Sequence, residues 1–555
     1  MAPTVAASRL KAAASYVLIA VLQLLLLYPL HSTMDLPSWD EALYMGQGEQ
    51  FLHGGGLGSL ASSARSPLGS PFYALLYSFA VRALGTVDSI FFMHYFVKIG
   101  VSLALLLFLS TYLKNRLAAL LLTMVWVASS VSLNEHVLVY HAALGVFLVA
   151  LTCLEPYPLA AVSLLYLCTL TRLEYLFPAV ALTLYFLWSN QKRDRKGAGR
   201  LSEPRPESSE RARRNRTFRK PELVAAASVG MLLVFLLLNL SDFNVGGNRT
   251  WFAFNQNYSR HEVEAGRFDV NPFIDSNLVI QADFPGAHSL GDAFSTNPKA
   301  FVQHVARNVA MLPKESVRVV IPFASGVSLG VMLAGLGAFA LAGLVGAGER
   351  RNLLRNFTEA LRAETLVCIA TMSSLLALLP ILLVYPQPHH TLILVPFLLF
   401  WPGLLVVRAA DPSSGRTRQI LVAATAVFAL GIVLSPKPYA PAGNPRPILA
   451  EIQQLTELWP KRPMRLLGLG SLWYASYLGC QKVLPIEPLG TVNGQPLEPG
   501  SDNLAIMIDR HHPDVVLINE ELLTSKNFNK ASLAVLSPTE WTAHPVGRGT
   551  FYFRR

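Results

Sequence analysis

Two adjacent carboxylates, Asp40 and Glu41, follow the first long apolar run of the chain, residues 13–30. That run is long enough for a membrane helix, which places the pair at a membrane boundary, where ionisable side chains are costly and tend to be functional. A carboxylate there can act as a general base that takes a proton from a hydroxyl nucleophile. The alternative for Asp40 is an N-cap that opens an amphipathic helix, and Glu41 then takes the chemical role.

Other turns predicted on the same side of the membrane carry further candidates. Arg65 is a candidate ligand for phosphate, or an interfacial side chain whose charge reaches the lipid headgroups. Arg172 and Glu174 either pair with each other or contact a substrate, and such a pair between two apolar spans marks the bundle interior. Two adjacent histidines supply too few ligands for a metal, so no metal site is predicted. The remaining candidates for substrate contact are Glu135, His141, His389 and His390.

The elements that must position these residues are membrane helices. Of the 555 residues, 52% are hydrophobic and 15% are charged, against about 25% charged in soluble proteins. The first apolar run lacks a small-residue cleavage site, which favours a retained helix over a signal peptide. The sequence therefore predicts a polytopic α-helical membrane protein with about eleven transmembrane helices, at 13–30, 89–112, 117–134, 137–154, 157–171, 173–189, 222–241, 317–346, 363–385, 391–408 and 419–435.

The distribution of charge predicts the orientation. Residues 191–221 carry twelve Lys/Arg and four Asp/Glu, and they belong to a predicted disordered basic loop, 190–221. Nucleic-acid binding is one interpretation, but a cytoplasmic loop that obeys the positive-inside rule is simpler, and no nucleic-acid partner is predicted. This orientation makes the N-terminus cytoplasmic and puts the loops 31–88 and 242–316 outside. The helix expected at 71–84 within the first loop is too short to span and is predicted to lie along the interface.

The chain divides into a membrane domain, residues 1–435, and a C-terminal soluble α/β domain, residues 436–555, predicted on the outer face. Residues 447–459 have helical periodicity. A GxG at Gly468 and Gly470 is a weak signal for dinucleotide binding, because Trp473 stands where a third glycine would be. The predicted strands, whose alternation with helices indicates an α/β domain, are Arg465–Leu469, Leu504–Ile508 and Val515–Ile518.

The first outside loop resembles that of GT-C glycosyltransferases, in particular the aminoarabinose transferases and protein O-mannosyltransferases. Pro67 and Pro71 stand where that group usually has two adjacent prolines, and the segment Leu170–Glu174 is similar to a TRPE step of bacterial members, with leucine in place of proline. The matching positions are an acidic pair, a tyrosine, a glycine-rich turn, a basic residue and a closing Tyr and Gly: Asp40, Glu41, Tyr44, Gly54 to Gly56, Arg65, Tyr73 and Gly85.

The resemblance implies a transferase that takes a sugar from a polyprenyl phosphate in a bacterial inner membrane. The acceptor would be a lipid, a polysaccharide or a protein on the periplasmic side, and membrane lipids would be partners. Asp40 and Glu41 would be the catalytic residues, with Asp40 as the general base and Glu41 orienting an acceptor or a sugar hydroxyl, and Tyr44 would bind substrate. No cofactor is certain, and a divalent cation is possible chemistry for such a site. No DxD and no GxxxxGK[ST] occur, so neither a nucleotide-sugar enzyme nor an ATP-driven pump is supported.

Two other functions remain open on the sequence. A glycan polymerase or ligase that uses a lipid-diphosphate-linked glycan would favour Arg and His in the large outside loop, which contains Arg249, Arg260, His261 and Arg267. A lipid or solute transporter predicts charged residues near the midplane and an internal repeat, and no repeat is evident. The C-terminal domain, by its placement alone, is a candidate for acceptor recognition.

Overall fold

The structure is a computed structural model, and it describes residues 2–31, 35–36, 40–55, 70–134, 137–198, 223–224, 227–228, 230, 248–323, 326–346, 364–409, 415–435, 447–479, 481–486 and 503–555. Within these ranges the chain is mostly helical, with one sheet near its C-terminal end.

The N-terminal half consists of apolar helices that pack side by side. The central helix of this group, α4, packs on α1, α5 and α7, and α7 packs in turn on α8. Short 3-10 and π turns occur at Leu173–Tyr175 and Phe51–Gly55. The helices are α1 (Ala2–His31), α2 (Asp40–Gln50), α3 (Pro71–Leu84), α4 (Thr86–Leu113), α5 (Arg116–Val127), α6 (Ser130–Asn134), α7 (Leu138–Cys153), α8 (Pro158–Thr171) and α9 (Leu176–Ala198).

The second half adds a helical loop, described over residues 248–316, which is predicted to lie outside and is named the large outer loop. A further group of membrane helices follows, among which α14 and α18 form the most extensive pair. A 3-10 helix at Pro388–Leu394 leads into α17. The helices are α10 (Asn248–Glu264), α11 (Ser276–Asp283), α12 (Leu290–Thr296), α13 (Pro298–Arg318), α14 (Gly326–Gly346), α15 (Thr365–Leu376), α16 (Leu379–Val384), α17 (Val395–Ala409) and α18 (Gly415–Val433).

Six stretches of the described chain are long and apolar enough to cross a membrane: Ala12–Pro29, Thr86–Leu113, Gly326–Leu344, Thr365–Val384, Pro388–Ala409 and Gly415–Val433. Each corresponds to a predicted span. Four further predicted spans coincide with shorter apolar helices, at Arg116–Val127, Leu138–Cys153, Pro158–Thr171 and Leu173–Ser189. The predicted span 222–241 and the basic loop 190–221 lie largely outside the described residues.

One predicted span begins later than expected. The segment 317–346 was predicted as a single helix, but residues up to Arg318 belong to α13, and α14 begins at Gly326. Between them, Pro322 forms an antiparallel bridge with Ser129, and the Phe323 N–H donates to the Ala128 carbonyl at 2.6 Å. Because Pro322 has no N–H to donate to a helical hydrogen bond, a helix does not continue through it, and α13 and α14 are separate helices.

The C-terminal part is an α/β unit around a five-stranded sheet of order β2-β1-β3-β5-β4. Strands β1, β2 and β3 are parallel, while β5 is antiparallel to β3 and β4. Parallel neighbours need crossover helices, and α20 supplies the first. The elements are α19 (Pro447–Leu458), β1 (Met464–Leu467), α20 (Ser471–Leu478), β2 (Val483–Ile486), α21 (Leu504–His511), β3 (Val515–Asn519), α22 (Glu520–Thr524), β4 (Trp541–Val546) and β5 (Gly549–Arg554).

The strand predicted at Leu504–Ile508 is wrong, because these residues form α21. The side chain of Asn503 accepts a hydrogen bond from the Ala505 N–H and so caps the helix. Leu504 is buried, whereas Ile506 is 55% exposed, so the short apolar run does not fill a buried strand. The helix at 447–459 and the strands near Arg465 and Val515 were predicted correctly.

Candidate functional site

Glu41 is a buried carboxylate at the junction of three helices. Its side chain on α2 is 2% exposed and accepts hydrogen bonds from the hydroxyls of Tyr73 and Tyr77, both on α3, at 2.5 Å each. Its second oxygen accepts a hydrogen bond, 3.1 Å long, from the N–H of Leu138, the first residue of α7. A negative charge at a helix N-terminus is favourable, so Glu41 fixes α2 and α3 to the start of α7.

Aromatic packing reinforces this junction. Tyr44, 1% exposed and one helical turn after Glu41, packs edge-to-face against Tyr73, and Tyr73 does the same against Tyr77, with ring centroids 5.4 and 5.3 Å apart. Edge-to-face tyrosine pairs bury large rings and leave the hydroxyls free to bond. Tyr44 also lies close enough to Arg172 to interact with its charge, which connects the Glu41 junction to the second part of the site.

Arg172 and Glu174 form a two-point ion pair between α8 and α9. The Nη2 of Arg172 is 2.5 Å and its Nε 3.2 Å from the two carboxylate oxygens of Glu174, and the side chains are 11% and 19% exposed. Arg172 also donates to the hydroxyl of Tyr140 at 2.7 Å and lies 4.0 Å from the centre of that ring. The pairing predicted as one of two alternatives is therefore formed.

Tyr140 connects this ion pair to the two histidines. Its ring centroid lies 4.7 Å from that of His389 and 5.4 Å from that of His390. The 3-10 helix at Pro388–Leu394 presents both rings, and the Nδ1 of His390 lies 3.0 Å from the Tyr385 carbonyl. Two predicted residue pairs from distant parts of the chain thus meet around a tyrosine.

The two parts of the site are fixed to each other through backbone contacts. Ser70, the residue before α3, donates its hydroxyl to the carbonyl of Thr171 at 2.6 Å, next to Arg172. Glu41 holds the N–H of Leu138, two residues before Tyr140. The site therefore lies where α2, α3, α7, α8 and the Pro388–Leu394 turn meet. This end of the bundle is named the outer end, after the orientation that the charge distribution predicts.

The predicted residues differ in how the structure places them. His141 is fully buried on α7 and packs against Trp126, with ring centroids 5.7 Å apart, so it lies away from the Arg172 group. Asp40 is the first residue of α2, but its side chain is outside the described part of the chain. Arg65 and Glu135 are likewise not described.

Two residues that sequence analysis did not select are important here. Tyr140 lies at the centre of the site, whereas its neighbour His141 was the residue predicted to contact substrate. Adjacent residues of a helix point about 100° apart, so only one of the two can face Arg172. Lys98, fully buried on α4, donates to the Leu133 carbonyl at 2.6 Å, five residues before the N–H that Glu41 holds. A lysine inside an apolar span was a visible signal for a functional or structural role.

The arginines of the large outer loop are bonded to carboxylates of the same loop. Arg260 pairs with Glu264 at 2.7 Å, and Arg267 pairs with both oxygens of Asp283 and with Glu262. These charges stabilise the fold of the loop. The side chain of Arg249 lies outside the described residues.

A buried histidine pair fixes this loop to the membrane helices. The Nδ1 atoms of His261 and His304 are 3.1 Å apart, and the Nε2 of His304 lies 2.9 Å from the carbonyl of Val384, at the end of α16. Since a carbonyl only accepts, His304 carries its proton on Nε2 and accepts at Nδ1 from His261. Burial, and then His261, lowers the pKa of His304 to about 4, and burial lowers that of His261 as well.

Within the part of the chain that the structure describes, no group of three or more His, Cys, Asp or Glu side chains is arranged to hold a metal ion. Among the described side chains that could bind a metal, the Glu174 carboxylate and the rings of His389 and His390 lie near one another. The carboxylate is neutralised by its ion pair with Arg172. The side chains of Asp40 and Glu135 lie outside the described residues, and the divalent cation stays a prediction.

Comparison with known proteins finds similarity to solved structures, and two of them are the following. No protein-family model matches the chain, and no curated protein sequence matches it significantly. ArnT from Cupriavidus metallidurans, solved bound to undecaprenyl phosphate, is 12% identical with a TM-score of 0.41, covering 98% of both chains. The Archaeoglobus fulgidus oligosaccharyltransferase, solved with zinc and sulfate, is 13% identical with a TM-score of 0.43, covering 97% of this chain and 73% of its own.

Both of these structures are GT-C enzymes, the superfamily that the first-loop residues resemble. Scores of this size do not support conclusions about the chemistry of this chain. Its function is therefore inferred from its own residues and their arrangement.

Proposed function

We propose that this chain is a membrane glycosyltransferase that moves a sugar from a polyprenyl-phosphate donor to an acceptor hydroxyl or amine on the outer side of the membrane. The observation that carries the proposal is the buried Arg172 at the outer end of the apolar helices. It is joined through Tyr140 and α7 to the helix that Asp40 and Glu41 begin. This arrangement combines a cation for a phosphate with a carboxylate pair for a nucleophile.

The Arg172 group fits the leaving group of such a transfer. When the bond between the sugar and the phosphate breaks, the phosphate keeps the electron pair and needs donors aimed at its oxygens. Arg172 supplies the guanidinium, His389 supplies a ring N–H group, and Glu174 holds the guanidinium in place. His390, whose Nδ1 faces the Tyr385 carbonyl, lines the same side of Tyr140. In this role Arg65 is a further candidate ligand.

Asp40 is proposed as the base that takes the acceptor's proton while the new bond to the sugar carbon forms. A single in-line attack of this kind inverts the configuration at that carbon. Glu41 has three donors on its carboxylate and therefore positions α2, and Asp40 with it, against α3 and α7. Glu135 and His136, in the turn between α6 and α7, lie next in sequence to the residues that this junction holds.

The setting of the reaction belongs to the same proposal. The N-terminus is in the cytoplasm, the site and the C-terminal α/β unit face the periplasm, and the membrane is a bacterial inner membrane. The acceptor class, whether lipid, polysaccharide or protein, is a separate question from the chemistry. A polymerase or ligase would rely on the large-loop arginines. Arg260 and Arg267 pair with carboxylates, as Arg172 does, but among the described residues only Arg172 lies beside Tyr140, which the two histidines contact.

A transporter remains the second candidate because of one observation. Lys98 is buried near the middle of α4, and a charged side chain inside a membrane span is a feature of transport pathways. Its ammonium group is bonded to the Leu133 carbonyl, which fits a structural role equally well. Turnover of a donor distinguishes the two functions.

The test compares the wild-type protein with Asp40→Asn and with Asp88→Asn, an exposed acidic residue in the first turn of α4 that serves as the matched control. Each is purified in detergent and incubated with polyprenyl-phosphate sugars and membrane lipid extract, and donor consumption is followed by mass spectrometry. We expect turnover by wild type and Asp88→Asn, and a loss of roughly 10²–10⁴-fold in Asp40→Asn, as for removal of a general base.

Equal turnover by all three proteins would remove Asp40 from the chemistry and leave Glu41 as the candidate base. Absence of turnover in all three, with movement of a labelled lipid or sugar across proteoliposomes, would replace the transferase by a transporter. Thermal unfolding of each variant checks that a loss of turnover is not a loss of fold.

A further inference from the structure

Helix α13 of the large outer loop has an exposed face that is divided into an apolar and a basic half. Along the apolar half, Val302, Val309 and Val317 are exposed by 55%, 51% and 50%. Ala306 and Pro313 lie between them and are also exposed, so the apolar positions follow one another at intervals of three or four residues. That spacing forms a continuous stripe on one side of a helix.

The opposite face of α13 is anchored to the outer ends of membrane helices. His304 and Asn308 reach the carbonyls that end α16, at distances of 2.9 Å to Val384 and Leu382. About 16 Å beyond His304 along the helix, the Glu315 carbonyl accepts from the hydroxyl of Thr391 at 3.4 Å.

The chain then bridges to Ser129 at the end of α5, and the next candidate membrane span begins at Gly326, eight residues after α13 ends. All three anchors are ends of apolar helices, so α13 lies across the outer boundary of the bundle. Ile321 and Phe323, 50% and 46% exposed, continue the apolar stripe toward that span.

Charge on the exposed face of α13 is of one sign. Its only acidic residue, Glu315, is buried, whereas its four basic residues are exposed: Lys299, Arg307, Lys314 and Arg318. Arg307 pairs with Glu262 and Arg318 with Glu315, which leaves the two lysines as the principal charges toward the surroundings. An apolar stripe bordered by lysines is the pattern of helices that lie in a membrane surface and bind anionic headgroups.

We infer that α13 is an interfacial helix that inserts its Val302–Val309–Val317 stripe into the outer leaflet and binds anionic lipid headgroups through Lys299 and Lys314. The lipid surface then contacts the face of α13 opposite His304 and Asn308. The inference does not depend on the sugar-transfer reaction. It assigns a lipid partner to a surface whose apolar side chains would otherwise face water.

The first measurement places a spin label on the stripe. In a background with the four native cysteines replaced by serine, Val309→Cys is labelled with a nitroxide and the protein is reconstituted into liposomes. Ile506→Cys, at an equally exposed apolar position on α21 of the C-terminal unit, is the control. We expect collisions with oxygen to exceed those with a water-soluble nickel complex several-fold more at position 309 than at 506. Equal accessibility to the nickel complex at both positions would overturn the insertion.

The second measurement tests the charge. Labelled Val309→Cys is compared in liposomes of neutral phosphatidylcholine and in liposomes that also contain phosphatidylglycerol, with and without Lys299→Gln and Lys314→Gln. Deeper insertion with the anionic lipid, lost in the double-glutamine variant, supports headgroup binding. The same depth in both lipids would overturn it. A label shielded from both oxygen and nickel would indicate a protein or peptide on this face and would also overturn the inference.

Discussion

At the scale of single residues, Glu41 is the most constrained group in the site. Two tyrosine hydroxyls and one backbone N–H all donate to its carboxylate. An amide in its place would turn a donor toward at least one of these donors. For Glu41→Gln we expect the free energy of unfolding to fall by about 1–3 kcal/mol, the cost of an unmade buried hydrogen bond.

Thermal or chemical unfolding of the purified protein in detergent measures this loss. Tyr73→Phe is the matched comparison, because it removes one donor without introducing another, and it should cost about 1 kcal/mol or less. Glu41→Gln with wild-type stability would show that the three contacts do not hold the junction.

The buried pair of His261 and His304 predicts a dependence of stability on pH. The pKa of His304 in the fold is about 4, lowered by burial and by His261 from its ordinary value of 6.5. The folded protein therefore binds this proton less readily than the unfolded chain. Its contribution to stability is complete above pH 6.5, is lost as the pH falls toward 4, and amounts to about 3 kcal/mol at most.

Protonation of His304 at Nδ1 would also place two N–H groups against each other across the 3.1 Å contact. The charged groups around the pair, which affect the size of the effect, are Arg260, Glu262, Glu264 and Arg307. His304→Gln should flatten the change in unfolding temperature between pH 7 and 5 relative to wild type. Identical pH profiles for the two proteins would contradict the assignment.

At the scale of elements, the turn between α6 and α7 is held at both ends by a buried charged side chain. Lys98 holds the Leu133 carbonyl on one side and Glu41 holds the Leu138 N–H on the other. Glu135, a predicted candidate for substrate contact, lies between them in the sequence. The two described ends of this connection therefore depend on two ionisable groups that are distant in sequence.

Lys98→Met keeps the length of the side chain but leaves the Leu133 carbonyl without its donor. We expect a loss of about 1–3 kcal/mol in stability together with reduced transfer. Lys461→Met, at an exposed position in the C-terminal unit, is the control and should change stability little. Unchanged stability and activity in Lys98→Met would show that the turn is held by other contacts.

At the scale of the whole molecule, the C-terminal unit contacts the site end of the bundle through several segments. Asp35, just after α1, accepts from the N–H groups of Ile448 and Leu449 and so caps α19. In the large loop, Asp275 accepts from the hydroxyl of Ser525 at 2.6 Å and from the backbone that follows it. Helix α20 packs directly on α2. Deleting residues 436–555 would expose α2, in addition to removing any acceptor contacts.

The contact between α2 and α20 can be tested at one glycine. A Cβ added to Gly46 would lie 2.3 Å from the Ser476 hydroxyl oxygen and 2.9 Å from its Cβ, so alanine there forces the helices apart. Gly46→Ala should cost about 1–3 kcal/mol of stability, as overpacking does. It should also reduce transfer, because α2 carries Asp40.

A second substitution separates this contact from a general effect of alanine. Ser476→Gly in the Gly46→Ala background removes both close atoms and should restore part of the stability and activity, a coupling that a double-mutant cycle measures. Gly100→Ala on α4, where a Cβ meets no atom within 4 Å, is the neutral control. An additive cycle, with no rescue, would mean that α20 does not fix the position of α2.

The apolar runs, the short helix at 71–84 and most of the C-terminal elements were predictable, because hydrophobic length and periodicity are local properties. The strand predicted at Leu504–Ile508 was wrong for the same reason. A short apolar run fits either a strand or a helix, and burial in the folded chain decides between them. The interfacial placement of the helix at 71–84 stays a prediction. The ion pair of Arg172 and Glu174 was predicted as an alternative because the two residues are near in sequence. The contact of Arg172 with Tyr140, and that of Tyr140 with His389, were not predicted, since these residues lie on distant elements.

The sequence by itself determined that this is a multi-span helical chain with an acidic pair, an arginine and two histidines at the ends of its helices. Only the tertiary structure decided which of two neighbours faces which surroundings: Glu41 into the junction of α2, α3 and α7, and Tyr140, not His141, toward Arg172. Neighbours on a helix point about 100° apart. Which one turns inward depends on how distant helices pack, because the rotation of a helix is set by its partners.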